Sequence, residues 1–201
     1  MNYIMLDLEW NQPFKKEQAL KKPVKLNGEI IQIGAVKTDE NFNIIDTFKI
    51  LIEPVYYKKM NSKVKKLTKI TNKKLKTGLP FEEALEQFKN WCGSDFTFIT
   101  WGNDDIPILE ANLILHGKSK KWVKKHYDAQ AIFDYQVTKE GRQIALSEAM
   151  GKIGQEPFEA HDALNDAKST AVICSSIDMK SGLTDYKLIK KPKEKKKKHM
   201  K

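Results

Sequence analysis

The sequence predicts an α/β fold, a sheet with helices on its faces, and three observations predict it. Three strand-like segments come before any strong helical pattern. A mid-chain strand runs at once into a glycine turn and a helix, and a long amphipathic helix follows towards the C-terminal end. Strands followed by alternating helix and strand bury their apolar faces in layers of this kind. At 201 residues there is room for one domain with a sizeable core and little room for two. No internal repeat is visible.

The first strand is the apolar run Tyr3-Ile4-Met5-Leu6, which ends in Asp7-Leu8-Glu9. Residues 11–27 form a polar, Lys-rich, Pro-containing loop, long for a connection and therefore either disordered or functional. Gly28 to Val36 and Ile44 to Ile52 read as the second and third strands, with Thr38-Asp39-Glu40-Asn41 as the turn signal between them. Three consecutive strands point to an antiparallel meander. Tyr56 to Lys76 is polar and basic, with Val64, Leu67 and Ile70 as its expected inward residues.

Pro80 and the acids Glu82 and Glu83 mark a helix start. Phe81, Ala84, Leu85, Phe88 and Trp91 keep the spacing of one buried face. Phe96 to Trp101 is strongly strand-like. Gly102-Asn103-Asp104-Asp105 then leads into a helix with Pro107 in its first turn, running to about His116 with Ile108, Leu109, Asn112 and Leu115 inward. His116 and His126 lie in Lys-rich surroundings and read as surface residues. Tyr127 to Ala131 is a short strand or a helix start, and Leu146 to Ile153 a short helix closed by Gly154. From Ala160 to Asp166 the chain opens the long helix, which continues to about Met179 with Ala163, Ala167, Thr170, Ala171 and Cys174 as its close-packed face.

A hydrophobic content of 40% and four tryptophans fit a globular protein. No stretch approaches the roughly 18 apolar residues of a membrane span, and the N-terminus lacks the pattern of a signal peptide. Cys92 and Cys174 have no metal-ligand spacing, so a reduced, cytoplasmic protein with no membrane partner is the expectation. The net charge of +10 is unevenly spread: Lys187 to Lys201 carries +8, Lys58 to Lys76 carries +9 and Lys118 to His126 carries +5, which leaves −12 on the rest. An acidic body with three basic patches suits a polyanion held at several points, with the acids kept for a cation. The plainer alternative for any one patch is Lys serving solubility on a solvated face. Residues 187–201 are low in complexity and are expected to be a disordered Lys-rich tail behind a domain of residues 1–186.

Period two in the first strand places Asp7 and Glu9 on one face and Leu6, Leu8 and Trp10 on the other. Two neighbouring carboxylates at the end of a hydrophobic strand are costly to bury alone. Either they are solvated on a polar strand face, or a cation compensates them: a Lys or Arg, or a hard ion such as Mg²⁺ or Mn²⁺. Asp105 stands where the fourth strand turns into a helix, and Asp166 in the first two turns of the long helix, both at element ends where sites of open sheets gather. His161 lies just outside that helix if it starts at Asp162. Duller readings exist for each: Asp166 as a first-turn acid favoured by the helix dipole, Asp104 or Asp105 as a cap, and His161 as a satisfied loop histidine. Trp10 and Trp101 flank the proposed site, for stacking on bases or for core packing.

Asp7-x-Glu9 on the first strand, Asp105 after a mid-chain strand, and His161-x-x-x-x-Asp166 near the end together resemble the DEDDh (DnaQ-like) 3′–5′ exonuclease family. Glu29 to Val36 is similar to that family's second strand, Leu67-Thr68-Lys69-Ile70-Thr71 to its Leu-Thr-Gly-Ile-Thr loop, and His161 to Asp166 to its last motif. The match covers roughly residues 3–180. Within the subgroup, Trp101 to Asp105 looks most like the Eri-type, RNA-trimming enzymes and the related bacterial sporulation-inhibitor branch. Trp10 departs from the family, where small residues are common, and the 11–27 loop is long.

The resemblance implies a ribonuclease H-like fold, a central five-stranded mixed sheet whose first three strands are antiparallel. It implies two Mg²⁺ or Mn²⁺ ions held by Asp7, Glu9, Asp105 and Asp166, with His161 as general base. An imidazole, whose ordinary pKa is near 6.5, can take a proton from water at neutral pH. The implied activity is release of 5′-mononucleotides from the 3′ end of single-stranded RNA or DNA, RNA favoured. Leu8, Trp10 and Trp101 would touch the substrate, and the basic stretches would follow its phosphates. The tail would add non-specific affinity or tether a ribosome or protein partner. The alternative is a non-catalytic regulator using the same fold to bind nucleic acid or protein.

Overall fold

The structure, a computed structural model, describes residues 1–123 and 125–190. One five-stranded sheet runs through it in the order β3-β2-β1-β4-β5. β1 (Asn2–Asn11), β2 (Glu29–Thr38) and β3 (Ile44–Leu51) form the antiparallel meander. β4 (Phe96–Thr100) runs parallel to β1, and β5 (His126–Asp128) parallel to β4. The ambiguous segment at Tyr127 is both things at once, a short strand that passes directly into a helix that starts at Ala129.

Two cores sandwich the sheet. On one face α3 (Phe81–Cys92) and α4 (Asp105–Leu115) cover Ile4, Leu6, Leu8, Ile30 and Phe98. On the other, α5 (Ala129–Phe133) and α7 (Ala163–Ser176) cover Met5, Val36 and Ile99. The period of a strand explains the allocation along β1: Ile4, Leu6 and Leu8 go to the first core and Met5 to the second. Asp7 and Glu9 continue the Met5 side. The close-packed face of α7 is as read, with Ala163, Ala167, Thr170, Ala171 and Cys174 all buried. Asn112 ties α4 to the start of β2. Its side-chain oxygen accepts from the Ile30 N–H, and its amide donates to the carbonyls of Gly28 and Ile108.

Several expectations are corrected. Of the two readings of residues 11–27, disorder falls and function stays open: they are a folded loop in which Leu26 is buried, and the Tyr57 hydroxyl accepts from the Leu20 N–H and donates to the Leu26 carbonyl. The basic stretch folds into α1 (Ser62–Thr68) and α2 (Asn72–Leu75), with Val64 and Ile70 buried but Leu67 52% exposed. A helix this short has one inward side, and Val64 takes it. His116 is not a surface residue; its ring stacks on Phe81 and pairs with Glu82, with 9% of its side chain exposed. Beyond α6 (Leu146–Lys152), α7 stops at Ser176, and Met179 opens a further helix, α8 (Met179–Thr184).

The boundary of the tail also moves. Lys187 to Ile189 belong to α9 (Tyr186–Ile189), and the Lys190 ammonium pairs with buried Asp128. The rest of the expected tail, residues 191–201, lies outside the described residues. Among the described residues, no helix is long and apolar enough to cross a membrane.

Candidate active site

The acids gather at the end of β1 and β4, each delivered by a different local device. The β1–β4 ladder ends at Met5 and Ile99, so the Leu8 N–H has no strand partner on that side. The Asp105 carboxylate accepts it at 2.9 Å, which pins the first turn of α4 to β1. A register shift follows at once between Glu9 and Trp10. Asp104 occupies the cap position of α4 but makes no side-chain capping bond there, and it is exposed while Asp105 is buried.

Helix α7 approaches from the other face, and the cross-strand partners of the two β1 acids receive it. Gly34 pairs with Asp7. A Cβ on Gly34 would lie 2.0 Å from the Ala163 carbonyl carbon, so only glycine lets the helix start sit on the sheet at this point. Gln32 pairs with Glu9, and its side-chain oxygen accepts from the Ala163 N–H at 2.9 Å. Asp162 caps the helix by accepting from the Asn165 N–H, and Lys49, the β3 partner of Gly34, pairs with the Asp162 carboxylate. His161, one residue earlier, adopts a left-handed backbone (φ 64), and its N–H donates to Asp166 Oδ2 at 2.9 Å. As a result a ring nitrogen of His161 and carboxylate oxygens of Glu9 and Asp166 all lie within 4.8 Å of one another.

All five predicted residues line one cleft of about 300 Å³, with Asp7, Glu9, Asp105, His161 and Asp166 on its floor and sides. Burial is the main cause that raises the pKa of its acids. It pushes Glu9 up to about 8, with the charges of Asp166 and Asp105 adding to the effect. Burial pushes Asp105 up to about 7 against the opposing hydrogen bond from Leu8. Asp7 is raised well above the usual range by burial and then by Asp105, Asp166 and Glu9; Asp166 is raised by burial too. Among the described residues, no Lys or Arg forms an ion pair with any of these four acids. A cluster of oxygen donors, mutually repelling and lacking a cationic side chain, fits a hard divalent ion.

The proposed substrate contacts differ among themselves. Leu8 forms part of the cleft wall, but its side chain is 3% exposed and packs in the first core. Trp10 lines the cleft and is half-buried. Trp101 lines it too, while its indole N–H donates to the Ile144 carbonyl and its ring packs on Phe133. Gln12, Val64, Leu67, Thr68 and Asp104 complete the lining, and sequence reasoning did not assign them to the site. For α1 the available signal was the likeness of Leu67 to Thr71 to a family loop; an exposed leucine beside a cleft has no periodicity to betray it.

The chain belongs to the exonuclease family: the Exonuclease (RNase_T) family model matches residues 4–174. It is 28% identical over 114 residues to the "Probable 3'-5' exonuclease KapD" of Bacillus subtilis, covering 56% of this chain and 53% of that one. To the PolC-type DNA polymerase III of Thermotoga maritima it is 29% identical over 169 residues, 83% of this chain and 12% of the relative. The chain thus spans about half of the first relative and about a tenth of the second. The nuclease domain of 3'hExo, a DEDDh family member bound to rAMP, has the same fold, with a TM-score of 0.73, 21% identity and 92% of both chains covered. E. coli exonuclease I in complex with a dA16 oligonucleotide matches with a TM-score of 0.71 at 17% identity, over 92% of this chain and 42% of that one. The expected fold therefore holds: the chain shares the fold of these exonucleases, one of which is a DEDDh family member. The family uses divalent metal ions, Mg²⁺ or Mn²⁺, and the Glu9, His161 and Asp166 group is consistent with that use.

Proposed function

We propose that this protein is a metal-dependent 3′–5′ exonuclease that releases 5′-mononucleotides from the 3′ end of single-stranded nucleic acid, with RNA favoured over DNA. The observation that carries the reading is the convergence of Asp7, Glu9, Asp105, His161 and Asp166 from separate elements on one cleft. The four acids would hold two divalent ions, which when bound lower the pKa of a water and neutralise charge on the scissile phosphate. His161 takes the proton of the attacking water. The water oxygen bonds to phosphorus in line with the breaking bond, and the 3′ oxygen of the remaining strand leaves and is protonated. The left-handed backbone at His161 and its N–H bond to Asp166 hold the imidazole's stem against the acids, so its aim is set before substrate arrives.

Of the basic stretches, the α1–α2 surface adjoins the cleft, since α1 supplies Val64, Leu67 and Thr68 to its lining. Lys63, Lys65, Lys66, Lys73 and Lys74 are exposed there and suit the phosphates of the strand upstream. The turn Lys120–Trp122 packs on Phe96, at the start of β4, away from the end that delivers Asp105, and does not continue this path. The RNA preference rests on likeness to the nuclease domain of 3'hExo, bound to rAMP, and to a 3′-exonuclease that recognises a histone mRNA stem-loop. The likeness to exonuclease I, bound to a DNA strand, pulls the other way.

The test is a 5′-labelled single strand, as RNA and as DNA, with Mg²⁺ or Mn²⁺, and with wild type, Asp7→Ala and His161→Ala. A ladder shortening from the 3′ end in wild type alone, faster on RNA, is expected. A faster DNA ladder would overturn the sugar preference. Binding without any metal-dependent release would leave the regulator reading in its place.

A further inference from the structure

The segment 155–161 leads to His161 without regular secondary structure, and side chains from other elements hold its end. Two of these holds lie on the α7 side: Asn165 donates its side-chain amide to the Glu159 carbonyl, and Lys49 pairs with Asp162. The third comes from elsewhere. Lys69, the residue that ends α1, pairs with the Glu159 carboxylate. Since α1 and His161 both line the catalytic cleft, this ion pair joins two of its walls.

Lys69 is an unusual residue for its place. It closes α1 in a left-handed conformation, φ 58, with its N–H donating to the Lys65 carbonyl. Helices ending in this way favour glycine at that position, because a Cβ is strained there. The strain buys no burial, since 73% of the Lys69 side chain is exposed, and 67% of that of Glu159. What the lysine adds over glycine is the charge that reaches Glu159. An exposed pair is weak, and a weak, reversible contact suits a segment that must admit a strand end and release a nucleotide on each turnover.

We propose that Lys69 and Glu159 form a strap that holds the 155–161 segment against α1 and so keeps His161 aimed at the acids. Lys69 is a positioning residue in this account, acting through Glu159 on the loop. The inference deepens the exonuclease reading and rests on it.

A dinucleotide substrate separates the strap from backbone binding, because it offers no upstream phosphates to the α1–α2 lysines. On it, Lys69→Gly, Lys69→Gln and Glu159→Gln are each expected to lower kcat about fivefold with little change in KM, the most that an exposed pair supports. Lys69→Gly is expected to leave Tm unchanged or raised, since glycine relieves the backbone, so activity and stability move apart. The charge swap Lys69→Glu with Glu159→Lys restores most of kcat. Hydrogen exchange of residues 155–161 in the metal-free protein speeds up in the single variants and slows again in the swap. That last readout needs no catalysis: if the wild type proves inactive, the exonuclease reading fails while the strap is still tested. Unchanged exchange together with unchanged kcat would overturn the strap. A raised KM with unchanged kcat and no rescue by the swap would make Lys69 a direct phosphate contact instead.

Discussion

The molecule buries acids in two ways, and the contrast supports the proposed site. Glu29 is 2% exposed, and its carboxylate accepts the backbone N–H groups of Val55, Tyr56 and Tyr57. Asp128 is 3% exposed and accepts from the Gly102 and Ala131 N–H groups while pairing with Lys190. Both are structural knots, neutralised by donors brought from other parts of the chain. Asp105 is as deeply placed, at 6% exposure, but has the Leu8 N–H and a ring of other acids. An acid buried among donors holds a fold together; acids buried among acids await a cation supplied from outside.

The sharpest way to break this comparison is to remove one acid of each kind. Asp7→Ala is expected to cut kcat by more than about a hundredfold, since even groups that only support metal ligands are worth 10–100-fold. At a pH high enough to ionise the cluster it should also raise the Tm of the metal-free protein, because one of the repelling charges is gone. Glu29→Ala should do the reverse. Leaving three backbone donors without an acceptor costs about 3 kcal/mol or more in stability, with kcat of the remaining folded protein nearly unchanged. Thermal melts and single-turnover rates of the two variants check both halves. If Asp7→Ala lowered Tm as Glu29→Ala does, the distinction between the two kinds of acid would collapse.

Gly34→Ala tests the approach of α7 to the sheet. The added methyl meets the helix backbone rather than a flexible side chain, so a loss of about 2 kcal/mol, or about 4–8 °C in Tm, is expected. A drop in kcat beyond what unfolding explains should accompany it, because Asp166 and His161 ride on the displaced helix start. An alanine variant with normal kcat would show that the site does not depend on this contact.

The smallest effect is the pH dependence of the metal-free protein. Its site acids hold protons more tightly when folded than when unfolded, with Glu9 at about 8 and Asp105 at about 7. Stability is therefore full below the ordinary carboxylate pKa of about 4 and declines as pH rises through about 7 and 8. Tm should fall by several degrees across that window, and Mn²⁺ should abolish the fall by neutralising the ionised acids, releasing protons as it binds. A melt series with and without Mn²⁺ decides it, and a flat profile in the metal-free protein would contradict the described electrostatics.

Much of this was legible in the chain itself. The run Tyr3 to Leu6, the Phe81-Ala84-Leu85-Phe88 face and the small residues of α7 are local patterns, and the elements formed where those patterns lie. The residues of the proposed site could be picked out because each stands at the end of such an element and because the spacings form a family set; that they line one cleft is what the structure adds. Leu67 and His116 were misread, and the 11–27 loop stayed open between disorder and function, for one reason. Their surroundings are set by Val64, by Phe81 with Glu82, and by Tyr57, and the last two come from elsewhere in the sequence.

The sequence by itself determined the order of the elements and the placing of acids at their ends, since hydrophobic period and residue type act over a few positions. The tertiary structure alone decided that those ends meet. The Leu8 N–H finds Asp105 across 97 residues, and Gln32 receives the start of α7 across 131. Contacts at such separations have no local signature, and they exist because a buried N–H must find an acceptor and a helix can reach a sheet only where a glycine leaves room.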